Sequence, residues 1–263
     1  MRQPGRRRGT RSRHEALIEL LRQGTARVDD LAEALAVSAS TVRRDLAHLE
    51  GERRVARTYG GALVPEAFQE RPVEESAGLR VQAKAAIAST ARPLIPPAST
   101  IFLDAGTTCG ALAALLATDE PPGGNLTVVT RGLETAGTLA AADHLDVLIL
   151  GGQVRQLSHG MVGPLADLAL DRLAFAVAFL GADAFDPRRG VGEPTLEETR
   201  IKERVADSAA RVVVLADSSK LAISSAPAWT TSASGWTLVT DPGAPGDLVR
   251  RCAEAGVELL TAG

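Results

Sequence analysis

The chain has 263 residues, 45% apolar and only 3% aromatic, with 29 basic and 32 acidic residues for a net charge of −3. That length accommodates one small and one medium domain, and no apolar run reaches the roughly 18–20 residues that a membrane span requires. Two distant cysteines, Cys109 and Cys252, form no disulfide framework, and four scattered histidines have no helical ligand spacing, so neither a metal nor a cofactor is expected.

Residues 1–12 form a basic leader expected to be disordered. The leader lacks the apolar h-region of a secretory signal, which points to the cytoplasm. Residues 1–60 carry 13 arginines against 8 acidic residues, whereas residues 61–263 carry 16 basic against 24 acidic. A basic head on an acidic body suits counterion release from DNA phosphates. Ala16, Leu17, Leu20 and Leu21 then mark an amphipathic helix ending before Gly24. In the next short helix, Asp29 and Asp30 lie near the positive end of the dipole, with Leu31, Ala34 and Leu35 as the apolar face.

Only Ala36-Val37 separates that helix from the next. Val42, Leu46 and Leu49 recur at i, i+4 and i+7 as an apolar stripe, and Ser38 sits where an N-cap belongs. The opposite face carries Ser40, Arg44 and Ala47, flanked by Arg43 and His48. Asp45 falls toward the buried side, where it is expected to orient an arginine. Three short helices with a tight turn between the last two make a helix-turn-helix. Hydroxyls near the start of the last helix and two adjacent arginines suit a major groove. Residues 53–62 alternate and then break at Gly60-Gly61, which predicts a wing.

Val37-Ser38, Ser40-Thr41-Val42-Arg43-Arg44-Asp45-Leu46 and Arg57-Thr58-Tyr59-Gly60-Gly61-Ala62 resemble the N-terminal domain of the DeoR family of bacterial transcriptional regulators. The resemblance implies a winged helix-turn-helix over residues 13–62. It implies DNA contacts from Ser40, Thr41, Arg43, Arg44 and His48, and from Arg57 and Tyr59 in the wing, where Tyr59 equally suits a packing role. Ala36 stands where relatives often carry glycine. If that position needs a left-handed backbone, alanine costs roughly 1 kcal/mol.

Residues 63–83 read as a linker, interrupted by Pro65 and Pro72 and made polar by Glu66, Glu70, Glu74 and Glu75. Beyond Lys84, apolar β-branched runs at 100–103, 126–130, 145–150, 175–180, 212–216, 236–240 and 257–260 alternate with helical stretches such as 108–117, 133–142 and 196–209. The fold class expected for residues 84–263 is α/β, a mostly parallel sheet with helices on both faces, beneath an α+β head. Ligands of such sheets bind beyond the carboxyl ends of strands. Those ends read Asp104-Ala-Gly-Thr-Thr108, Thr130-Arg131-Gly132, Gly151-Gly152-Gln153-Val154-Arg155, Gly181-Ala182-Asp183 and Asp217-Ser-Ser-Lys220, with Glu198 and Lys202 four apart on a helix. Gly106 with the N–H groups of Thr107 and Thr108 opens a helix N-terminus, a natural anion site. Singly, these residues also describe turns, a cap at Asp217 and a surface pair; five such strand ends favour a ligand pocket.

The same segments resemble the C-terminal sensor domain of DeoR-type regulators, a domain similar in fold to ribose-5-phosphate isomerase. The resemblance implies a phosphorylated sugar as effector. Asp104, Gly106, Thr107 and Thr108 would cradle its phosphate or an adjacent hydroxyl. Lys202 and Lys220 would supply positive charge, and Asp183, Glu198 and Asp217 would bind hydroxyls or order the lysines. Thr130, Arg131, Gly151 and Gly152 complete the candidate pocket. Relatives often carry Asn-Ser at Arg131-Gly132 and Phe-Gly at Leu221-Ala222, so Arg131 either adds a phosphate contact or closes part of the pocket. The expected function is repression of sugar catabolism genes by a homo-oligomer, a dimer or tetramer, on a double-stranded operator, relieved by the effector. The rival is an isomerase-like enzyme carrying a DNA-binding head, with Glu198 or Asp183 as the base. A dinucleotide-binding module is excluded, since no G-x-G-x-x-G follows the first body strand.

Overall fold

The computed structural model describes residues 5–22, 27–51, 55–58, 61–63, 68, 70–119, 124–223 and 225–263. The chain divides into two units, Met1–Ala67 and Phe68–Gly263. The first contains α1 (Gly5–Arg22), α2 (Val28–Ala34), α3 (Ala39–Gly51), β1 (Ala56–Thr58) and β2 (Gly61–Leu63). Residues 5–12, expected in a disordered tail, continue α1, and arginine is among the better helix formers. Val42, Leu46 and Leu49 are at most 1% exposed and close on Leu17 and Leu31, so the expected stripe is the core face of α3. On α2, Ala34 is exposed and Ala32 buried instead. The stripe there is anchored at Val28 and runs through Leu31, Ala32 and Leu35 at i+3, i+4 and i+7, which leaves Ala34 off the face.

The turn between α2 and α3 closes tightly. The Val37 N–H donates to the Ala32 carbonyl at 3.0 Å and the Ala36 N–H to that of Glu33 at 3.1 Å. This is a Schellman closure whose left-handed residue is Ala36, at φ +50°. Ser38 then caps α3, its Oγ accepting the Thr41 N–H at 3.2 Å. In the wing, β1 pairs antiparallel with β2, Arg57 opposite Ala62. Tyr59 lies outside the described residues.

The second unit begins with α4 (Val73–Ala77) and α5 (Val81–Ala91), followed by β3 (Thr100–Leu103), α6 (Thr107–Thr118), β4 (Leu126–Thr130), α7 (Leu133–Leu139) and β5 (Leu145–Ile149). A short hairpin of β6 (Gln153–Val154) and β7 (Met161–Val162) leads to α8 (Pro164–Leu170) and β8 (Val177–Leu180). Then come β9 (Ala184–Asp186), β10 (Gly190–Glu193), α9 (Leu196–Asp207), β11 (Val212–Leu215), β12 (Ala228–Trp229), β13 (Thr237–Thr240), α10 (Leu248–Ala255) and β14 (Glu258–Thr261).

Seven strands form one sheet in the order β14-β13-β11-β8-β3-β4-β5, and every neighbouring pair is parallel. Ile101 and Leu103 pack with α5, α6 and α7 on one face, whereas Phe102 packs with α8 and α9 on the other. Burial on both faces is why these strands read as unbroken apolar runs. Among the described residues of this unit, the antiparallel strand pairs are those of the β6–β7 hairpin and of a small sheet ordered β12-β10-β9, with one isolated bridge between Gly132 and Gly160. From β3 the chain winds outward through β4 and β5, then returns to build β8, β11, β13 and β14 on the other side. The adjacent carboxyl ends of β3 and β8 are therefore the topological switch point, where open α/β sheets bind ligands.

Residues 70–83, expected in a linker, are held against this second unit. The Val73 N–H donates to the Leu157 carbonyl at 2.8 Å. Arg80, left-handed at φ +53°, reaches Asp217 at 3.0 Å and Asp241 at 2.9 Å. These partners are distant in sequence, so local composition carried no sign of them.

Ala36→Gly is expected to stabilise the head by about 0.5–1 kcal/mol, because glycine removes the Cβ strain of a left-handed residue and returns part of the gain as unfolded-chain entropy. Urea unfolding of both proteins measures it; a loss of stability would contradict the turn geometry.

Candidate functional site

On α3 the surface opposite the core presents Ser40, Arg43, Arg44, Ala47 and His48, all exposed, while Thr41 is half-buried. The Ser38 hydroxyl lies 2.8 Å from those of both Ser40 and Thr41, so the capping turn also orders the hydroxyls at the helix start. The His48 ring leans on His14 with centroids 5.3 Å apart. Asp45 is buried and orients an arginine of α1 rather than of its own helix: Arg13 donates from Nε at 2.6 Å and Nη2 at 3.1 Å, and His14 Nε2 lies at 3.2 Å. Burial opposes the Asp45 charge, yet Arg13 and His14 hold its carboxyl below the usual range. Arg57 is placed on β1, without further detail for its side chain.

At the switch point the sheet encloses a chain of ion pairs centred on Asp104, which is fully buried. Its Oδ1 accepts the Ala105 N–H at 2.8 Å and Arg131 Nε at 2.6 Å. Its Oδ2 accepts the Gly181 N–H at 3.2 Å and Lys202 Nζ. Burial alone would raise this carboxyl, but Arg131, Lys202 and their hydrogen bonds bring it down to about 2. Burial likewise opposes the Lys202 charge, and Asp104 and Glu193 outweigh it, lifting the ammonium above the ordinary lysine range. Lys202 Nζ also donates to the Gly181 carbonyl at 3.0 Å and stands 3.2 Å from Glu193. Burial drives Glu193 up to about 8 against the pull of Lys202, with Asp183 and Glu198 adding to the rise.

The chain of charges continues outward. Arg131 Nη1 sits 3.5 Å from Glu198 Oε1, beyond hydrogen-bond geometry, and is otherwise unpartnered. Glu198 accepts from Arg155 Nη1 and from Ser158 Oγ at 3.3 Å. Arg155 forks onto Glu70 at 2.6 and 2.8 Å. Four carboxyl groups (Glu70, Asp104, Glu193, Glu198) and three cations (Arg131, Arg155, Lys202) thus make a closed cluster in which each cation has a carboxylate partner.

Beside it, between α4, α5, α6 and α7, lies a cavity of about 660 Å³. Polar groups on its walls come from Gly106 and Thr107 at the start of α6, from Lys84, and from Glu74, Glu134 and Thr135. Apolar residues, among them Val73, Val81, Ala88 and Ala114, also line it. Gly106, at φ +98°, takes a backbone that a side chain would strain, and it leads into the first N–H groups of α6, which have no partner within the helix. Lys84 is buried and donates to the Ser76 carbonyl at 2.6 Å. Burial lowers its pKa, Asp217 opposing and Lys220 and Arg80 adding to the fall.

The predicted pocket residues thus occupy different places. Asp104, Arg131, Glu198 and Lys202 form the closed cluster, and Gly106 and Thr107 line the cavity. Thr108 follows them on α6, half-buried. Asp183 and Lys220 pair at 3.1 Å, and Asp217 is buried against Arg80 while accepting the Ser219 N–H at 3.0 Å. Thr130 Oγ1 accepts the Gly132 N–H at 3.1 Å and shapes a turn. Gly151 and Gly152 are exposed; at Gly152 a Cβ would meet the Val162 carbonyl at 2.5 Å. Arg131 is turned into the cluster, where Gly160 leaves the space for its Nη1. Sequence reasoning passed over Lys84 and Glu193, read Glu70 only as a linker residue, and named Arg155 at a strand end without giving it a role. Lys84 had a signal, as the one charge in the uncharged helix α5.

Asp104→Asn is expected to cost about 3–5 kcal/mol, because it strands Arg131 and Lys202 in a dry interior. Since the folded pKa lies below the ordinary 3.8, the contribution of Asp104 is complete above that pH and is lost as pH falls through about 2. Urea melts across this range should show a steeper acid limb in the natural protein than in the variant.

Among the described residues, no group of three His, Cys, Asp or Glu side chains could hold a metal ion, and no helix is long and apolar enough to cross a membrane. The model of the DeoR-like helix-turn-helix domain matches residues 13–68, and that of the DeoR C-terminal sensor domain matches residues 79–242. A regulator of Escherichia coli O157:H7 named for the aga operon is 34% identical over 97% of this chain and 95% of its own. The glycerol-3-phosphate regulon repressor of Escherichia coli K12 is 30% identical over 79% of this chain and 81% of its own. Among solved structures, ribose 5-phosphate isomerase A of Neisseria gonorrhoeae is similar over 52% of each chain, at 19% identity and a TM-score of 0.38. The chain belongs to the DeoR family of transcriptional regulators, a DeoR-like helix-turn-helix joined to a DeoR C-terminal sensor domain.

Proposed function

We propose that the protein is a cytoplasmic repressor whose α3 enters the major groove of an operator and whose affinity for it falls when a phosphorylated sugar occupies the body. One observation carries the effector half: the start of α6 and the buried ammonium of Lys84 line the same cavity. The N–H groups of a helix start, the positive end of its dipole and a cation on the walls of one cavity are the elements of a phosphate site. Asp104, Arg131 and Lys202 serve this site from behind, fixing the loop that carries Gly106 and Thr107. The relative named for the glycerol-3-phosphate regulon makes phosphorylated carbon sources the ligands to try first.

The DNA half rests on the exposed Ser40-Arg43-Arg44-His48 face of a helix whose other side is core. A head this small buries too little surface for tight specific binding alone, so paired half-sites and a dimer or tetramer follow. The isomerase reading loses support, because Glu198 is tied to Arg155 and Ser158, and Asp183 to Lys220.

Arg44→Ala is expected to abolish sequence-specific retardation of the promoter region upstream of the protein's own gene, with the melting of the body unchanged. Retained specific binding would refute the assignment of α3. A thermal-shift panel of sugar phosphates should contain one compound that at saturation adds roughly 2–4 kcal/mol of stability. The gain should vanish in Lys84→Gln; a gain that survives that change would place the phosphate elsewhere.

A further inference from the structure

The residues just before and within α4 form one wall of the cavity and are tied down at four successive points. Glu70 is forked by Arg155 at 2.6 and 2.8 Å. The Val73 N–H donates to the Leu157 carbonyl at 2.8 Å. Glu74 lies 3.6 Å from His159 Nε2, and the Ser76 carbonyl accepts Lys84 Nζ at 2.6 Å. Three of the four ties come from residues 155–159, the loop between β6 and β7. The fourth comes from Lys84, which also lines the cavity. Val73, Glu74 and Ala77 themselves line the space, and Ala67, the last residue of the head unit, is only three positions before Glu70.

We propose that residues 70–77 are a latch, closed over the cavity by residues 155–159 and Lys84, and that a phosphate ester arriving at the start of α6 opens it. This rests on the reading of the cavity as the effector site. Two forces act in the same direction. The incoming dianion competes with the Ser76 carbonyl for the Lys84 ammonium, which weakens that tie. It also repels the Glu74 carboxylate, which shares the cavity wall. Once those two ties loosen, the segment keeps only the Glu70 fork and the Val73 bond, and its release is felt by the chain that enters the head. Arg155 is then a positioning residue: it spans the latch at Glu70 and the closed ion cluster at Glu198.

Hydrogen exchange on the full-length protein reads the latch directly, with inorganic phosphate, glycerol 3-phosphate and glucose 6-phosphate as probes. A probe that raises the melting temperature should quicken exchange over residues 71–77. Glu70→Gln, which removes the fork without touching the cavity, should by itself quicken exchange there by about tenfold or more, the equivalent of losing a charge-assisted hydrogen bond. It should leave the ligand-induced rise in melting temperature intact. A stabilising probe that leaves residues 71–77 unchanged overturns the latch while the effector reading stands. Unchanged exchange in Glu70→Gln overturns it whatever the ligand. If no phosphate compound raises the melting temperature, the effector reading fails and anion-driven opening fails with it.

Discussion

Burying the Asp104 carboxylate at the seam of the sheet requires donors on every side, and the elements that supply them are the ones the body must hold in register. The Gly181 N–H comes from the end of β8, Arg131 from the end of β4 and Lys202 from α9 on the opposite face. Thr135 of α7 reaches the Asp104 carbonyl at 3.4 Å. One charge therefore ties both directions of winding to the same point. Exposed ion pairs contribute little to stability. In this dry site, removing any one partner leaves the others uncompensated, so the interaction specifies the arrangement more than it strengthens it. Gly106 and the start of α6 lie two residues farther along the chain and inherit their position from it.

The strands were legible because a parallel sheet buries both faces: 100–103 and 126–130 coincide with β3 and β4. The apolar stripe of α3 was equally legible, since its period is set by the helix itself. Illegible parts share a different cause. The small sheet is built from pieces such as Gly190-Val-Gly-Glu193, too short and glycine-rich to show a period. Residues 70–83 look like linker because their anchors lie 85 and 161 positions away, at Arg155 and at the partner of Arg80, Asp241. Strand-end loops pointed to the right end of the sheet. They did not separate the side chains that face open space from those that brace them, because that depends on which charges find partners, as Arg131 does.

Ala36 shows local strain tolerated for tertiary gain. The left-handed alanine costs roughly 1 kcal/mol, but it lets Val37 and Ser38 follow at once. The cap on α3 and the burial of Val42, Leu46 and Leu49 depend on that geometry. The arginine pair on the far side is presented only if this turn holds. Asp45 anchors the same helix to α1 through Arg13.

Lys84 joins the two properties a sensor needs. A ligand shifts an equilibrium only by its differential affinity for the two states. With the latch closed, the Lys84 ammonium is committed to the Ser76 carbonyl and is disfavoured by burial and by Lys220 and Arg80. With the latch open, the donor held by Ser76 is also free for an anion. The phosphate therefore binds the open state better by the strength of the contact that closes the latch. Affinity and coupling then reside in one nitrogen atom. Replacing Lys84 should cost both together, whereas loosening Glu70 should separate them.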